Sequence, residues 1–255
     1  MDGDLAKQIA AARRGEAQAL ESLFARNLPP GQYTKGYYGI RVFEANTLNL
    51  NSKIQNNTIR YRQGASTAYG GIGLVSARAF LVANNTMLMT DNASNYVGIL
   101  LHGCENADVK CNDVHGANNG YPELGQAGIR NWMGEWPLIS CNTLDRTTNG
   151  ILFSGYELNV DVKGNEFNLH RYGMHLEWNA VIGTQDHRGN LWLQAAPTNG
   201  WQAWHENPND AFVHRFFVDP GVPNTEPLSV QPPSNWFQGM SGPTFDCYEE
   251  LGECV

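Results

Sequence analysis

The sequence is poor in charged residues, and its charge is one-sided. Asp, Glu, Lys and Arg make up 16% of the 255 positions, against 42% hydrophobic residues. The formal net charge is −8. Because phosphate backbones bind basic surfaces, this balance argues against a nucleic-acid partner. Acidic polysaccharides would be repelled too, unless a local basic patch or a cation intervenes.

The sequence also lacks long hydrophobic runs and has few cysteines. No run of about 18 apolar residues occurs, so no membrane insertion is predicted. Residues 1–24 lack the apolar stretch of a secretory signal. Five Cys are too few for a disulfide scaffold, and they show no CxxC zinc spacing. The chain is therefore predicted to be cytoplasmic or a piece of a longer exported protein.

Gly and Asn are abundant instead, and they recur at regular intervals. Six Gly-Ile or Gly-Met pairs are each followed by an Asn, 14 residues on in the second to fourth copies and 15 in the fifth. The pairs begin at Gly39, Gly71, Gly98, Gly128, Gly150 and Gly173, and the asparagines are Asn57, Asn85, Asn112, Asn142, Asn165 and Asn190. A period of 22 to 32 residues indicates a solenoid.

Apolar residues hold fixed offsets from these asparagines. Two places after them stand Ile59, Met87, Val114, Leu144, Phe167 and Trp192; three places before them stand Ile54, Val82, Val109, Ile139 and Val162, with His187 as the exception. Short β-branched runs between Gly and Asn indicate strands and tight turns. Asn tolerates the left-handed conformation of such turns, and its amide can bond to the next Asn of a stack.

The predicted fold is all-β: a parallel β-helix of about six coils over residues 36–194. Residues 1–35 are predicted to form an N-terminal helical cap, which would cover the open strand edges. Residues 195–255 are predicted to be an irregular, Pro-rich tail that packs on the β-helix or leads to a further domain.

Three segments resemble a known group of proteins. "GILLHGCENADVKCNDV", "GIRNWMGEWPLISCNTL" and "GILFSGYELNVDVKGNEF" look like the repeats of right-handed parallel β-helix proteins, the pectate-lyase-like superfamily. The resemblance implies a right-handed solenoid and little about function, since this scaffold hosts lyases, hydrolases, epimerases, adhesins and inert spikes. The catalytic patterns of its polygalacturonase-like, alginate-epimerase and pectate-lyase members are absent, so no catalytic residue is assigned.

The tail carries a second resemblance. "WQAWHENPNDAFVHRFFVDP" and "NWFQGMSGPTFDCYEELGEC" look like segments that follow β-helices in large secreted bacterial surface proteins. This likeness implies an extracellular or cell-surface location and a monomeric module of a longer chain. Cys247 and Cys254 are close enough in sequence for a small disulfide loop, and free thiols fit equally well.

Glutamates recur at one offset of the repeat. Glu105, Glu135 and Glu157 each stand seven residues after their Gly, which would align three carboxylates on consecutive coils. A Ca²⁺ ion or a shared proton would relieve their repulsion. Alternatively, they lie at exposed turns and splay apart.

Aromatic and histidine side chains surround this row. Trp132, Trp136, Tyr156 and Trp178 could stack on sugar rings, or they could pack under the tail. The segment "NLHRYGMHLEW" adds His170, Arg171, His175 and Glu177, which could serve sugar chemistry. His175 and Glu177 would share one face of a strand.

Two cysteines are placed by the repeat itself. Cys111 and Cys141 each precede their Asn by one residue and are expected to be neighbours on adjacent coils. An inward-packed stack is favoured over a reactive pair.

The first functional hypothesis is a non-catalytic extracellular module for surface display, adhesion or glycan binding. A carbohydrate-active enzyme, either a polysaccharide lyase or a glycoside hydrolase, is the alternative. A structural spacer that binds nothing is the third. None of these requires a cofactor, and Ca²⁺ is the one candidate metal.

Overall fold

The computed structural model describes the repeat region and most of the tail. The described residues are 38–45, 52–61, 70–89, 96–117, 126–157, 159–177, 179–194, 200–207, 214–233 and 236–247. Within these ranges no helix has the length and apolarity that crossing a bilayer requires. The predicted helical cap, residues 1–35, lies outside the described residues, as do Trp178 and Cys254.

The regular elements of the described residues are short β-strands. In chain order they are β1 (Tyr38–Phe43), β2 (Ser52–Gln55), β3 (Thr58–Tyr61), β4 (Gly70–Val75), β5 (Phe80–Ala83), β6 (Thr86–Met89), β7 (Val97–His102), β8 (Asp108–Lys110), β9 (Asp113–His115), β10 (Ala127–Trp132), β11 (Leu138–Ser140), β12 (Thr143–Asp145), β13 (Asn149–Ser154), β14 (Asp161–Lys163), β15 (Glu166–Asn168), β16 (Tyr172–Leu176), β17 (Gln185–Asp186), β18 (Leu191–Trp192), β19 (Trp201–His205), β20 (Phe216–Val218), β21 (Val230–Gln231) and β22 (Phe237–Gly239).

Every third strand joins the same sheet, so the chain winds as a parallel β-solenoid. The first sheet runs β1-β4-β7-β10-β13-β16-β19-β21, the second β2-β5-β8-β11-β14, and the third β3-β6-β9-β12-β15-β18. Five coils, β1–β3 to β13–β15, supply all three sheets, and a sixth supplies only the first and third. The predicted fold class is confirmed.

The repeated Gly-Ile pairs form the inner column of the first sheet. Ile72, Ile99, Ile129 and Ile151 are aligned coil upon coil and fully buried. The preceding glycines allow the coils to approach: a Cβ added at Gly98 would lie 2.5 Å from the Gly128 carbonyl oxygen and 2.5 Å from a Val114 methyl. Any side chain at this position would therefore push two coils apart.

The asparagines form a hydrogen-bonded ladder at one corner. Each Nδ2 donates to the Oδ1 of the next Asn along the axis, from Asn57 to Asn190, at 2.9–3.0 Å. The Nδ2 groups of Asn85, Asn112 and Asn165 also donate to backbone carbonyls of their own coil and the preceding one. The Nδ2 group of Asn142 donates to a carbonyl of the preceding coil. The ladder therefore pairs polar groups that the turn would otherwise bury without partners.

The first sheet continues past residue 194, where the sequence repeat ends. β19 pairs in parallel with β16, and β21 pairs with β19. A separate small sheet of β17, β20 and β22 is also parallel. The Pro-rich segments thus contribute further strands to the stack between their turns.

The cysteines are placed differently from the predictions. Cys141 forms a disulfide with Cys247 in the tail, and Cys111 is also disulfide-bonded. The prediction that Cys111 and Cys141 stack inward is wrong, because both residues lie at a left-handed corner (φ 56° and 53°) and are only half-buried. The Cys247–Cys254 loop is wrong as well, because the tail crosses this corner and brings Cys247 to Cys141.

Candidate functional site

The outward side of the first sheet, across β7, β10, β13, β16 and β19, carries the chemistry-bearing side chains of the repeat. Strand alternation buries Ile129 and Asn131 and leaves Arg130 and Trp132 on the outside. In register with Trp132 lie His102 on the preceding coil and Ser154 on the following one. We call this surface the outer face; it comprises His102, Arg130, Trp132, Ser154, His175, Glu177, Trp204 and Glu206.

Trp132 is the exposed ring of the outer face. Its indole stacks on the His102 ring with the centroids 4.5 Å apart and an interplanar angle of 8°. The Arg130 guanidinium lies 5.2 Å from the Trp132 ring centroid. Trp132 remains 38% exposed, so the ring is held in place while much of it stays in contact with solvent.

Arg130 is fixed between Trp132 and two polar groups of the next coils. Its Nε donates to the Ser154 Oγ at 3.2 Å. Its Nη2 lies 3.8 Å from the Glu177 Oε1, which is an ion pair but longer than a hydrogen bond. Both side chains are about one-third exposed, at 30% and 36%. The two opposite charges therefore stand side by side at the surface.

Glu157 lies beneath this surface instead of in a row of carboxylates. It is 1% exposed, and its Oε1 accepts from the Ser154 backbone N–H at 2.9 Å. Burial, reinforced by the charge of Glu177, raises the pKa of Glu157 to about 9. Glu157 therefore favours the neutral form at pH 7, and its buried Oε2 has no hydrogen-bond partner within the part of the chain that the structure describes.

The other two members of the predicted glutamate row are adjacent. Glu105 and Glu135 form a parallel bridge between consecutive coils, and Arg78 pairs with the Glu105 Oε1 at 2.8 Å. Among the described residues no group of three or more His, Cys, Asp or Glu side chains is placed to hold a metal ion.

His175 is embedded in the outer face. Its ring stacks on Trp204 with the centroids 4.3 Å apart, and its Nδ1 and Nε2 contact the Asn149 Oδ1 (2.8 Å) and the Glu206 Oε1 (3.1 Å). Burial lowers the pKa of His175 to about 4. With both nitrogens in contact with protein and the ring 7% exposed, His175 shapes the surface more than it offers a free base.

The structure brings part of the predicted glycan set together. Trp132, His175 and Glu177 share the outer face. Trp136 and Tyr156 lie in the turns after β10 and β13 and are 55% and 62% exposed, so the alternative that they pack under the tail is wrong for these two rings.

Sequence reasoning missed Arg130, Trp204 and Glu206 as members of the site. Arg130 stands two residues before Trp132, which on a strand means the same face, so that signal was present. Trp204 and Glu206 lie beyond the last Gly-Ile pair, where the repeat gave no register to assign them.

Comparisons of the chain with protein-family models, with curated proteins and with solved structures find no match.

Proposed function

We propose that this chain is an extracellular β-solenoid module that binds carbohydrate on its outer face without cleaving it. The observation that carries the proposal is the indole of Trp132, which is partly exposed, stacks on His102 and lies beside the Arg130–Glu177 pair. A fixed aromatic ring next to polar donors and acceptors suits a sugar, which has apolar C–H faces and hydroxyl edges.

Support for the non-catalytic part comes from the burial of Glu157. A neutral carboxylic acid could protonate a glycosidic oxygen, but this group must touch the substrate to do so. Glu157 is 1% exposed, and its Oε1 already accepts a hydrogen bond from the Ser154 backbone N–H. The more exposed carboxylate, Glu177, faces a guanidinium.

Support for an extracellular location comes from the disulfides. Cys141 and Cys247 are bonded across 106 residues of chain, and Cys111 is in a disulfide as well. Such bonds form and persist in oxidising compartments and are rare in the cytosol.

The test is a polysaccharide array run on the intact chain, scored once for binding and once for released or unsaturated sugars. We expect binding without product. Trp132→Ala should weaken binding at least tenfold, whereas Phe43→Ala should not change it. Phe43 is a matched control because it is an exposed ring (56%) on the first strand of the same sheet.

Three other outcomes would overturn the proposal. Product formation would make the chain an enzyme, silence in both assays would favour a spacer, and an unchanged affinity of Trp132→Ala would place binding elsewhere. Circular dichroism of each variant establishes that the solenoid is intact.

A carbohydrate-active enzyme is the second candidate, favoured by one observation. Burial raises the pKa of Glu157 to about 9, and the charge of Glu177 contributes to this shift. Two carboxyl groups in opposite protonation states are the usual arrangement for glycoside hydrolysis. If the chain is an enzyme, Glu157→Gln should abolish product release and leave binding intact. If the chain is a binding module, no product is released in the first place and Glu157→Gln should bind as the wild type does.

A further inference from the structure

The outer face also indicates what kind of sugar it would take, an inference that rests on the proposed function. Arg130 and Glu177 offer a donor and an acceptor with 3.8 Å between Nη2 and Oε1. At this separation the two groups are not hydrogen-bonded to each other, so each can take its own ligand hydroxyl. A ligand hydroxyl can accept from the guanidinium, and an adjacent hydroxyl can donate to the carboxylate.

Arg130 is organised for such a contact before any ligand arrives. The hydrogen bond from its Nε to Ser154 and the position of its guanidinium beside the Trp132 ring fix its plane. Its nitrogens offer donors on this part of the face, and the partly exposed Glu177 offers an acceptor. The loss of side-chain entropy on binding is correspondingly small.

The charges of the face do not favour an acidic sugar. The Arg130 charge is already opposed by Glu177, and Glu206 lies on the neighbouring coil against His175. A uronate carboxylate on Arg130 would also face Glu177, in a protein whose net charge is −8. A neutral hydroxyl pair meets no such repulsion.

We propose that the outer face binds a neutral sugar ring through two adjacent hydroxyls, one accepting from Arg130 and the other donating to Glu177, with the ring's apolar face on Trp132. Ser154 is a positioning residue that acts through Arg130.

The experiment compares neutral and acidic probes of one linkage: β-1,4-linked manno-oligosaccharides against β-1,4-linked mannuronate oligosaccharides, and cello-oligosaccharides against their C6-oxidised forms. Calorimetry is run on the intact chain at low and at high NaCl. We expect a neutral probe to bind, salt to change its affinity less than twofold, and the acidic partner to bind at least tenfold more weakly.

The sign of one substitution separates the two ligand classes. With a neutral diol, Arg130→Gln and Glu177→Gln should each weaken binding about tenfold, because each removes one charged hydrogen-bonding partner. With a uronate, Glu177→Gln should strengthen binding by removing a repulsive charge. Glu135→Gln, an exposed glutamate of the neighbouring turn, is the control and should have no effect.

Preference for the acidic probes, or tighter binding by Glu177→Gln, would overturn this inference and leave carbohydrate binding standing. Failure of all four probes, with no binding on the wider polysaccharide array, would overturn the inference and the proposed function together. Array binding to sugars that lack adjacent hydroxyls would overturn the inference alone.

Discussion

The burial of Glu157 makes the stability of the fold depend on pH. The unfolded chain releases this proton near pH 4.5, whereas the folded chain holds it to about pH 9. Between these two pH values the folded state binds more protons than the unfolded state. The contribution of protonated Glu157 to stability is therefore complete below pH 4.5 and is lost as the pH rises toward 9.

We expect Glu157→Gln to remove this dependence. The amide keeps the acceptor for the Ser154 N–H and carries no charge, so the variant should gain about 2–3 kcal/mol in unfolding free energy at pH 7. Urea denaturation between pH 5 and 9 measures the gain. Glu135→Gln, at an exposed position, should keep the wild-type slope; parallel profiles for wild type and Glu157→Gln would contradict the prediction.

Asn131 is a buried polar side chain whose Oδ1 and Nδ2 have no hydrogen-bond partner among the described residues. It points into the core between Leu101 and Phe153 on the adjacent coils. Because an unpaired amide costs free energy in an apolar core, Asn131→Leu should stabilise the fold by about 1–3 kcal/mol. A thermal melt at fixed pH measures the change, and a lower Tm would show that the amide has a partner in solution.

At the scale of the element, the Asn ladder makes the same substitution strongly unfavourable. Asn112 donates to the Val82 carbonyl, the Lys110 carbonyl and the Asn142 Oδ1, and its own Oδ1 accepts from the Asn85 backbone and side chain. Asn112→Leu would leave these groups buried without partners.

We expect Asn112→Leu to cost about 3–5 kcal/mol, measured by urea denaturation. Asn131→Leu is the matched comparison, since both residues are fully buried and only their hydrogen bonding differs. Asn84→Gly, at the exposed left-handed corner beside the ladder, should change stability little. Equal effects of the two Leu substitutions would contradict the role of the ladder.

The ladder and the inner columns could be predicted because stacking makes them periodic in the sequence. Glu157 shows where periodicity misleads. Leu138 stands three positions after Glu135, and Asp161 stands four positions after Glu157, although Leu138 and Asp161 are paired. The extra residue takes Glu157 out of the row, and its only trace in the sequence is the Gly-to-Asn distance of 15 instead of 14.

The outer face could be predicted only in part, for a different physical reason. Inward positions are constrained by the coils above and below, so their residue types repeat, whereas outward positions are free to vary. Trp132, Ser154 and His102 occupy one register row, although they are three different residue types. The Cys141–Cys247 bond has no periodic signal at all, because it depends on how the tail returns.

At the scale of the molecule, the tail fastens one corner of the solenoid. It runs over the left-handed column that contains Cys141, Gly164 and Gly189. A Cβ at Gly164 would lie 2.3 Å from the Cys247 Sγ, and one at Gly189 would lie 2.1 Å from the Phe245 carbonyl oxygen. These glycines therefore leave room for the tail, and Cys141 anchors it by a covalent bond.

Because this bond closes a loop of 106 residues, it restricts the unfolded chain more than a short loop would. We expect the double variant Cys141→Ser/Cys247→Ser to lose about 2–4 kcal/mol, seen as a lower urea midpoint under non-reducing conditions. Cys104→Ser is the control, since Cys104 is a free buried thiol and its loss breaks no disulfide. Reductant should still destabilise the double variant, because the disulfide of Cys111 remains.

An unchanged midpoint in the double variant would mean that the tail is held by packing alone. The contacts that remain are the Phe245 ring on Lys163 and the hydrogen bond from the Phe245 N–H to the His187 carbonyl.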